Sequence, residues 1–594
     1  MMLAVKMLRN NRDETGAQET IDRLHNRRVP WQGPQAEQFV LAILIAAAVV
    51  FFTVRLPVGI DLADESYYLT HIVEWLRKGF AQSDNLNIQQ LSALFVYPFA
   101  RAVISSSGDL SGAILFLRMV YAGTVMATCL PLYFFLRRLR PAPTAALGAM
   151  LLIGFIPFGL PAPSYNTIAL CGMTAALSLF GLALLDARED WANGSKTRVR
   201  SIVPLIVSAA FWGIAVVSYP TLAPAPVLQI ALAFLLAPSN CERRFAVIYA
   251  LCGIFAAAVL AAILTAIFGF GHLVAMVDYT TASAQLSAGL WGKVTASAAR
   301  LMAQPLVGWA FAGVLILPLI LGHRKPRLML NGLIYFAMFI IMVTSEAAAY
   351  IKSHDIIILA ALFGATTACR GTEDYAIRII WVTSIGSALI TAATSAGGIF
   401  NVPIGGFMAA CLALVLATPR TGEPSRLLRV IGHAPLVLTL VVVGYVSQTF
   451  IYGEAPPQRP INGLVMKTGP YEGLRTAPET QRFITEVSAA FSAYGQEGKT
   501  ITVFGPASSL YLLTDMTPHA LSTWSLRSSS GERARRMTEA FLDRYPPDFI
   551  AIYRDPWTEP LGLMEKGRLR QYRNVSTIKI GWREFELFLR SELP

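Results

Sequence analysis

The chain has 594 residues, of which 54% are apolar and only 14% charged, with a mean hydropathy of +0.51; ordinary soluble domains do not have that balance. Its formal charge of +12 does not point to nucleic acid, because the basic residues sit in short loops that alternate along the chain, as in polytopic membrane proteins. Cys129, Cys171, Cys241, Cys252, Cys369 and Cys411 are scattered through or beside apolar stretches, so they offer neither a disulfide framework nor a zinc spacing.

Residues 1–35 carry Lys6, Arg9, Arg12, Arg23, Arg27 and Arg28 and read as a basic cytoplasmic tail. The first apolar run, Ala36 to Val54, is long enough to span a bilayer. A loop over 55–110 follows, and it opens on Asp61-Leu-Ala-Asp64-Glu65-Ser-Tyr67-Tyr68. Three carboxylates so close to a membrane are costly unless they face water or a reacting group. One reading is a solvated helix N-terminus, followed by an amphipathic helix with Tyr68, Ile72, Trp75 and Leu76; lying in the membrane interface with Tyr68, Ile72 and Trp75 on one side, that helix would instead hold a carboxylate over a donor site. The other is a general base that takes a proton from an acceptor hydroxyl.

Further apolar runs fall near 111–136, 142–160, 167–185, 202–218, 222–237, 245–269, 302–321, 328–345, 355–369, 377–396, 404–418 and 433–451, about thirteen spans in all. With the N-terminus inside, the inner segments hold about 23 Lys and Arg and the outer membrane-proximal loops about 7, which favours that orientation. An odd number of spans then puts both the 55–110 loop and the C-terminal region outside.

From about residue 452 the composition turns soluble, with Pro456-Pro457 and Pro460 as a linker. Thr500–Phe504 and Phe549–Tyr553 read as strands with a helix over Glu532–Tyr545 between them, and Ser576–Ile580 with Trp582–Leu589 reads as a hairpin. The order suggests a small extracytoplasmic α/β domain over 452–594. It has no G-x-G-x-x-G and no P-loop.

Several polar groups fall at the outer ends of the spans. Arg118 lies inside the apolar run Ile114-Leu-Phe-Leu-Arg118-Met-Val and needs an anion, either a carboxylate or a lipid phosphate, unless it snorkels to the surface. Tyr97-Pro98 lies in the first loop, Pro163-Ser-Tyr165-Asn166 between the third and fourth spans, and Glu346, Tyr350, Lys352, His354 and Asp355 between the ninth and tenth.

In these features the chain resembles the GT-C class of integral-membrane glycosyltransferases, which use polyprenyl-phosphate sugars, and within it the protein O-mannosyltransferase and lipid A aminoarabinose transferase branch. Asp64-Glu65-Ser66-Tyr67-Tyr68 is similar to the acidic DE-x-x-Y-like motif of that branch's first outer loop. Arg118 followed by Leu-Arg137-Arg138-Leu, the Tyr350-Ile-Lys352-Ser-His354 stretch and an outer α/β domain also resemble it. One departure is Asn166, where many members carry an acidic residue.

The resemblance implies a polytopic α-helical membrane domain over 36–451 with a catalytic first loop, in a bacterial inner membrane. It implies inverting transfer of a sugar from a polyprenyl-phosphate donor to an envelope glycan, lipid or protein acceptor. Asp64 takes the role of base, with Asp61 the alternative and Glu65 beside them. Tyr68, Tyr97, Arg118, Tyr165, Asn166, Tyr350, Lys352 and His354 are the expected substrate-binding residues, with Arg118 and Lys352 offsetting the charge of the departing phosphate. No divalent metal is required by these residues. A transporter or flippase, or a non-catalytic assembly protein of the envelope, would also suit many spans with few charges. The transporter reading lacks the paired broken helices of an internal repeat.

Overall fold

A computed structural model describes the chain from Pro34 to Ser591, apart from 193–198, most of 283–323, 345–348, 371–374, 396, 420–425, 455–462, 525–531 and 557–566. The first apolar run forms α1 (Pro34–Arg55). The loop after it folds into α2 (Asp64–Lys78), a 3-10 turn at Ile88–Phe95 and α3 (Tyr97–Ser107). The bundle continues with α4 (Ala113–Leu139), α5 (Ala142–Gly154), α6 (Tyr165–Ala192), α7 (Val199–Ser218), α8 (Pro224–Leu235), α9 (Asn240–Phe268) and α10 (Phe270–Ala282). It closes with α11 (Arg324–Thr344), α12 (Ala349–Arg370), α13 (Tyr375–Thr394), α14 (Val402–Ala417) and α15 (Arg426–Thr449).

Among the described residues, seven helices are long and apolar enough to cross a membrane, and five shorter apolar helices pack with them. They coincide with the predicted apolar runs except 302–321, which lies outside the described residues. The protein is a multi-pass membrane protein. Where helices cross closely, glycine makes room: a Cβ on Gly405 would sit 2.3 Å from the backbone carbon of Ser387, and one on Gly172 would sit 3.0 Å from the carbonyl of Phe211. Small residues at such crossings let helix backbones touch, which is how packing is gained where lipid removes the hydrophobic drive.

After the bundle come β1 (Leu464–Val465), β2 (Arg475–Thr476), α16 (Pro478–Tyr494), β3 (Thr500–Phe504), β4 (Thr517–Pro518), α17 (Glu532–Arg544), β5 (Phe549–Arg554), β6 (Tyr572–Ile580) and β7 (Arg583–Arg590). The five-stranded sheet has the order β4-β3-β5-β7-β6. Its β3 runs parallel to β4 and β5, while β7 is antiparallel to β5 and β6. The strands and hairpin read from the sequence are present; α16 had not been expected, although Phe483, Ile484, Val487 and Phe491 mark a buried face at helical spacing.

The α2 helix corrects the expectation of an amphipathic helix resting in the interface. Every residue from Glu65 to Trp75 is buried, because the C-terminal region covers the face that would have met water. The Ser509 N–H donates to the Leu62 carbonyl at 2.9 Å, Thr70 Oγ1 to the Ser508 carbonyl at 3.2 Å, and Arg77 Nη1 to the Met516 carbonyl at 2.9 Å. Ile60, Tyr67, Leu69 and Ile72 share one core with Tyr471, Phe483, Ile501 and Tyr511. The first loop and the C-terminal region therefore lie on the same side of the bundle, so the chain crosses the membrane an even number of times between them.

Candidate active site

Asp61 and Glu65 shape the start of α2. Asp61 lies ahead of the helix and spends its carboxylate on the helix's exposed amides: Oδ1 accepts from Ala63 N–H at 3.1 Å, and Oδ2 from Asp64 N–H at 2.6 Å and Glu65 N–H at 2.8 Å. These are first-turn donors without intrahelical partners, which a preceding carboxylate satisfies. Burial and the neighbouring Asp64 charge push the Asp61 carboxyl up to about 7, against the pull of those amides.

Glu65, one residue past Asp64, points back into the membrane bundle. Both of its oxygens meet Arg118, with Nε at 2.5 Å and Nη2 at 2.7 Å. The remaining donors of Arg118 go to carbonyls of the chain leaving α1: Leu56 at 2.6 Å, Val58 at 3.2 Å and Gly59 at 2.8 Å. A guanidinium has five N–H donors, and all five are engaged. The anion that Arg118 needs is thus Glu65, and the pair fixes the entry of the first loop.

Asp64 is the half-buried carboxylate of the stretch, and its charge acts on the Tyr67, Tyr68 and Tyr165 phenols. Tyr68 OH accepts from the Tyr165 N–H at 3.0 Å. The Tyr165 ring lies 5.3 Å from Tyr219 and 6.1 Å from Trp524, and Trp524 lies 5.5 Å from Tyr67. Burial above all, with neighbouring phenols and, least, the Asp64 charge adding to it, holds the Tyr67 and Tyr68 phenols protonated, well above their ordinary range. Asn166 Oδ1 accepts from Asn401 Nδ2 at 3.3 Å, which ties the start of α6 to the turn before α14.

Beside this cluster runs a groove of about 220 Å³ between α4, α6, α7 and the first loop. Phe95, Phe99, Tyr121, Pro163, Ile168 and Phe211 are among its walls, so it is mostly apolar.

Other expected residues are placed elsewhere. Tyr97 packs on Phe80 and Trp75, with ring centroids 4.9 and 6.2 Å away, about three helical turns along α2 from Asp64. Fully buried His354 accepts from the Phe158 N–H at 3.2 Å and meets the Phe155 and Phe158 rings. Tyr350 and Lys352 lie in the first turn of α12, and their side chains fall outside the described residues. Sequence reasoning missed Trp524, a lone tryptophan in a Ser- and Thr-rich turn. It also missed Glu454, whose carboxylate accepts from Ile60 N–H at 3.1 Å, Thr480 Oγ1 at 3.1 Å and Thr476 Oγ1 and so ties the C-terminal region to the first loop. Among the described residues no three His, Cys, Asp or Glu side chains are grouped to hold a metal ion.

This arrangement can be set beside known structures. The archaeal oligosaccharyltransferase AglB from Archaeoglobus fulgidus, in complex with an inhibitory peptide and a dolichol-phosphate, matches at a TM-score of 0.51 and 11% identity, over 86% of this chain and 69% of that one. The chain has the AglB fold. An apo structure of the Archaeoglobus fulgidus oligosaccharyltransferase matches at a TM-score of 0.50 and 11% identity, over 93% of this chain and 74% of that one. ArnT from Cupriavidus metallidurans, bound to undecaprenyl phosphate, is found at a TM-score of 0.36 and 9% identity, over 92% of this chain and 97% of that one. No protein-family model and no curated protein sequence matches. The AglB-like architecture is the one expected from the GT-C resemblance: a helical membrane domain, a folded first loop and a C-terminal α/β region.

Proposed function

We propose that this protein is an inverting glycosyltransferase that moves a sugar from a polyprenyl-phosphate carrier to an acceptor hydroxyl at the outer membrane face, with Asp64 as the base. The observation that carries this reading is the setting of Asp64. It is the half-buried carboxylate of the stretch, its charge acts on the Tyr67, Tyr68 and Tyr165 phenols, those rings sit with Trp524, and an apolar groove lies between α4, α6 and α7. A lipid-linked donor needs those parts together: a groove for its chain, flat rings for the sugar and a base for the acceptor. The AglB structure with dolichol-phosphate supports a lipid-phosphate partner for this fold.

In one displacement the acceptor oxygen bonds to the anomeric carbon, the bond to phosphate breaks with its electron pair on the phosphate, and the hydroxyl proton passes to Asp64. No covalent enzyme intermediate is needed, unlike in retaining glycosidases. Asp61 acts as the positioning group for α2, and the Glu65–Arg118 pair as the brace beneath it. The residue proposed to offset the charge of the leaving phosphate is Lys352, in the first turn of α12, where a helix N-terminus adds its own attraction for anions.

The test is transfer by purified protein from a polyprenyl-phosphate sugar. Asp64→Asn keeps the shape and removes the base, so turnover should fall by about 100- to 10,000-fold while donor binding survives. Near-native turnover in both Asp64→Asn and Asp61→Asn would overturn the reading.

A further inference from the structure

One face of α2 carries more chemistry than the base. Asp64, Tyr67, His71, Glu74 and Lys78 recur at i, i+3, i+7, i+10 and i+14, which aligns them along a single stripe of the helix. His71 and Glu74 are wholly buried. Within that stripe Tyr67 OH, His71 Nε2 and Glu74 Oε2 have no hydrogen-bonding partner among the described residues. Buried polar atoms without partners are rare, and three in a row on one helix face share a cause.

We infer that this stripe, with bridging water, is a proton-exit path that carries the acceptor's proton from Asp64 through Tyr67 to Glu74 and on to solvent. The inference rests on Asp64 being the base. The tautomer of His71 follows from its neighbour. Asn85 Oδ1 accepts from the Asn87 N–H at 2.9 Å, so Asn85 Nδ2 is the donor to His71 Nδ1 at 3.1 Å, and the ring's own hydrogen is on Nε2. His71 cannot pass a proton through a ring tied in this way. It is a positioning residue whose Nε2–H orients the bridging water. Tyr67 stands between the two carboxylates: its ring meets His71 edge-on at 4.2 Å, and the charges of both Asp64 and Glu74 act on its phenol.

The proton leaves Asp64 for the Tyr67 oxygen as the phenol's own hydrogen moves to water, and that water gives a proton to Glu74 Oε2. No charge is left behind on Tyr67 or His71. Burial supports these roles: it raises the Glu74 carboxyl to about 7 and lowers His71 to about 3, so Glu74 exchanges a proton near neutral pH and His71 stays uncharged. The groups facing Glu74 are Tyr67 and Lys78 on its own helix, Ser83 and Asp84 from the following turn, and Tyr511 from the C-terminal region. His272 on α10 faces Asp84. At the far end Asp84, half-buried, holds Lys78 at 2.7 Å and His519 at 3.2 Å, which brings the path to the surface.

The experiment follows transfer from a polyprenyl-phosphate sugar by the full-length protein over pH, in H2O and D2O. Tyr67→Phe and Glu74→Gln keep the shape of the stripe and break the path. Each should lower kcat about tenfold, a slowing short of losing the base itself, with KM for the donor unchanged. Each should also enlarge the solvent isotope effect, and added small bases such as imidazole should restore the rate. Native kcat, pH profile and isotope effect in both variants would overturn the path, as would a loss that imidazole does not rescue. If Asp64→Asn is inactive while these two variants behave as native, the path fails and the base stands. If Asp64→Asn keeps its turnover, the base reading fails first.

Discussion

In the membrane bundle the buried polar side chains are mostly hydroxyls and amides, many of them bonded to a neighbouring helix. Ser208 Oγ donates to the Ala176 carbonyl at 2.8 Å, Ser384 Oγ to the Gly405 carbonyl at 2.8 Å, and Trp212 Nε1 to Gln229 Oε1 at 2.6 Å. In the core shared by the first loop and the C-terminal region, the buried set includes Asp61, Glu65, Glu74, Arg118, Glu454 and Arg583. Both regions exclude solvent, and the bundle buries Arg55, Glu242 and Asp355 at scattered points, but the second gathers its charges into one core. Buried charge is expensive and is kept where partners hold it or chemistry uses it. The bundle is therefore the frame, and the loop with its cover holds the candidate site.

The sharpest way to break this contrast is at Arg118. Arg118→Ala leaves Glu65 buried without its partner, and thermal unfolding in detergent should show a loss of about 3–5 kcal/mol. Replacing both residues with methionine should cost less than either single change, because no charge is then stranded. A stable Arg118→Ala protein that has lost only donor binding would show instead that the guanidinium serves the phosphate.

A smaller effect is expected from Glu74. Its folded carboxyl is raised from an ordinary 4.5 to about 7 by burial. The native state then binds a proton more tightly than the unfolded chain, so stability should fall as pH rises from about 4.5 to about 7. Glu74→Gln should be more stable than the native protein at pH 8, by up to about 3 kcal/mol, and should lose that advantage near pH 4.5. A pH-independent difference between the two would remove Glu74 from the set of strained charges.

The frame should respond to shape rather than pH. Gly405→Ala puts a methyl 2.3 Å from the Ser387 backbone, so α13 and α14 must separate, at a cost of about 1–3 kcal/mol. That cost should be the same at pH 5 and pH 8, and a pH-dependent loss would blur the division between the two regions.

Much of the frame was legible in the sequence, because an apolar run of spanning length and an alternating strand are local patterns. Thr500–Phe504 and the hairpin ending at Arg590 carry their periodicity within a few residues. The acidic stretch was legible as a candidate site for the same reason. What could not be read was the use of each carboxylate. Glu65 finds Arg118 at a separation of 53 residues, and Ser66 finds Tyr471 at 405, so no local pattern distinguishes the braced carboxylate from the candidate base. Trp524 gave no signal, because a single aromatic in a polar turn has no period. The sequence by itself determined where the chain enters the membrane, which way its charge leans and which strands form, since hydropathy and alternation act over neighbouring residues. Only the tertiary structure decided that α2 is buried under the C-terminal region, that Arg118 answers Glu65, and that Asp64 stands among the rings. Each of those depends on distant segments meeting, and the energy that selects them lies in desolvation and partner geometry.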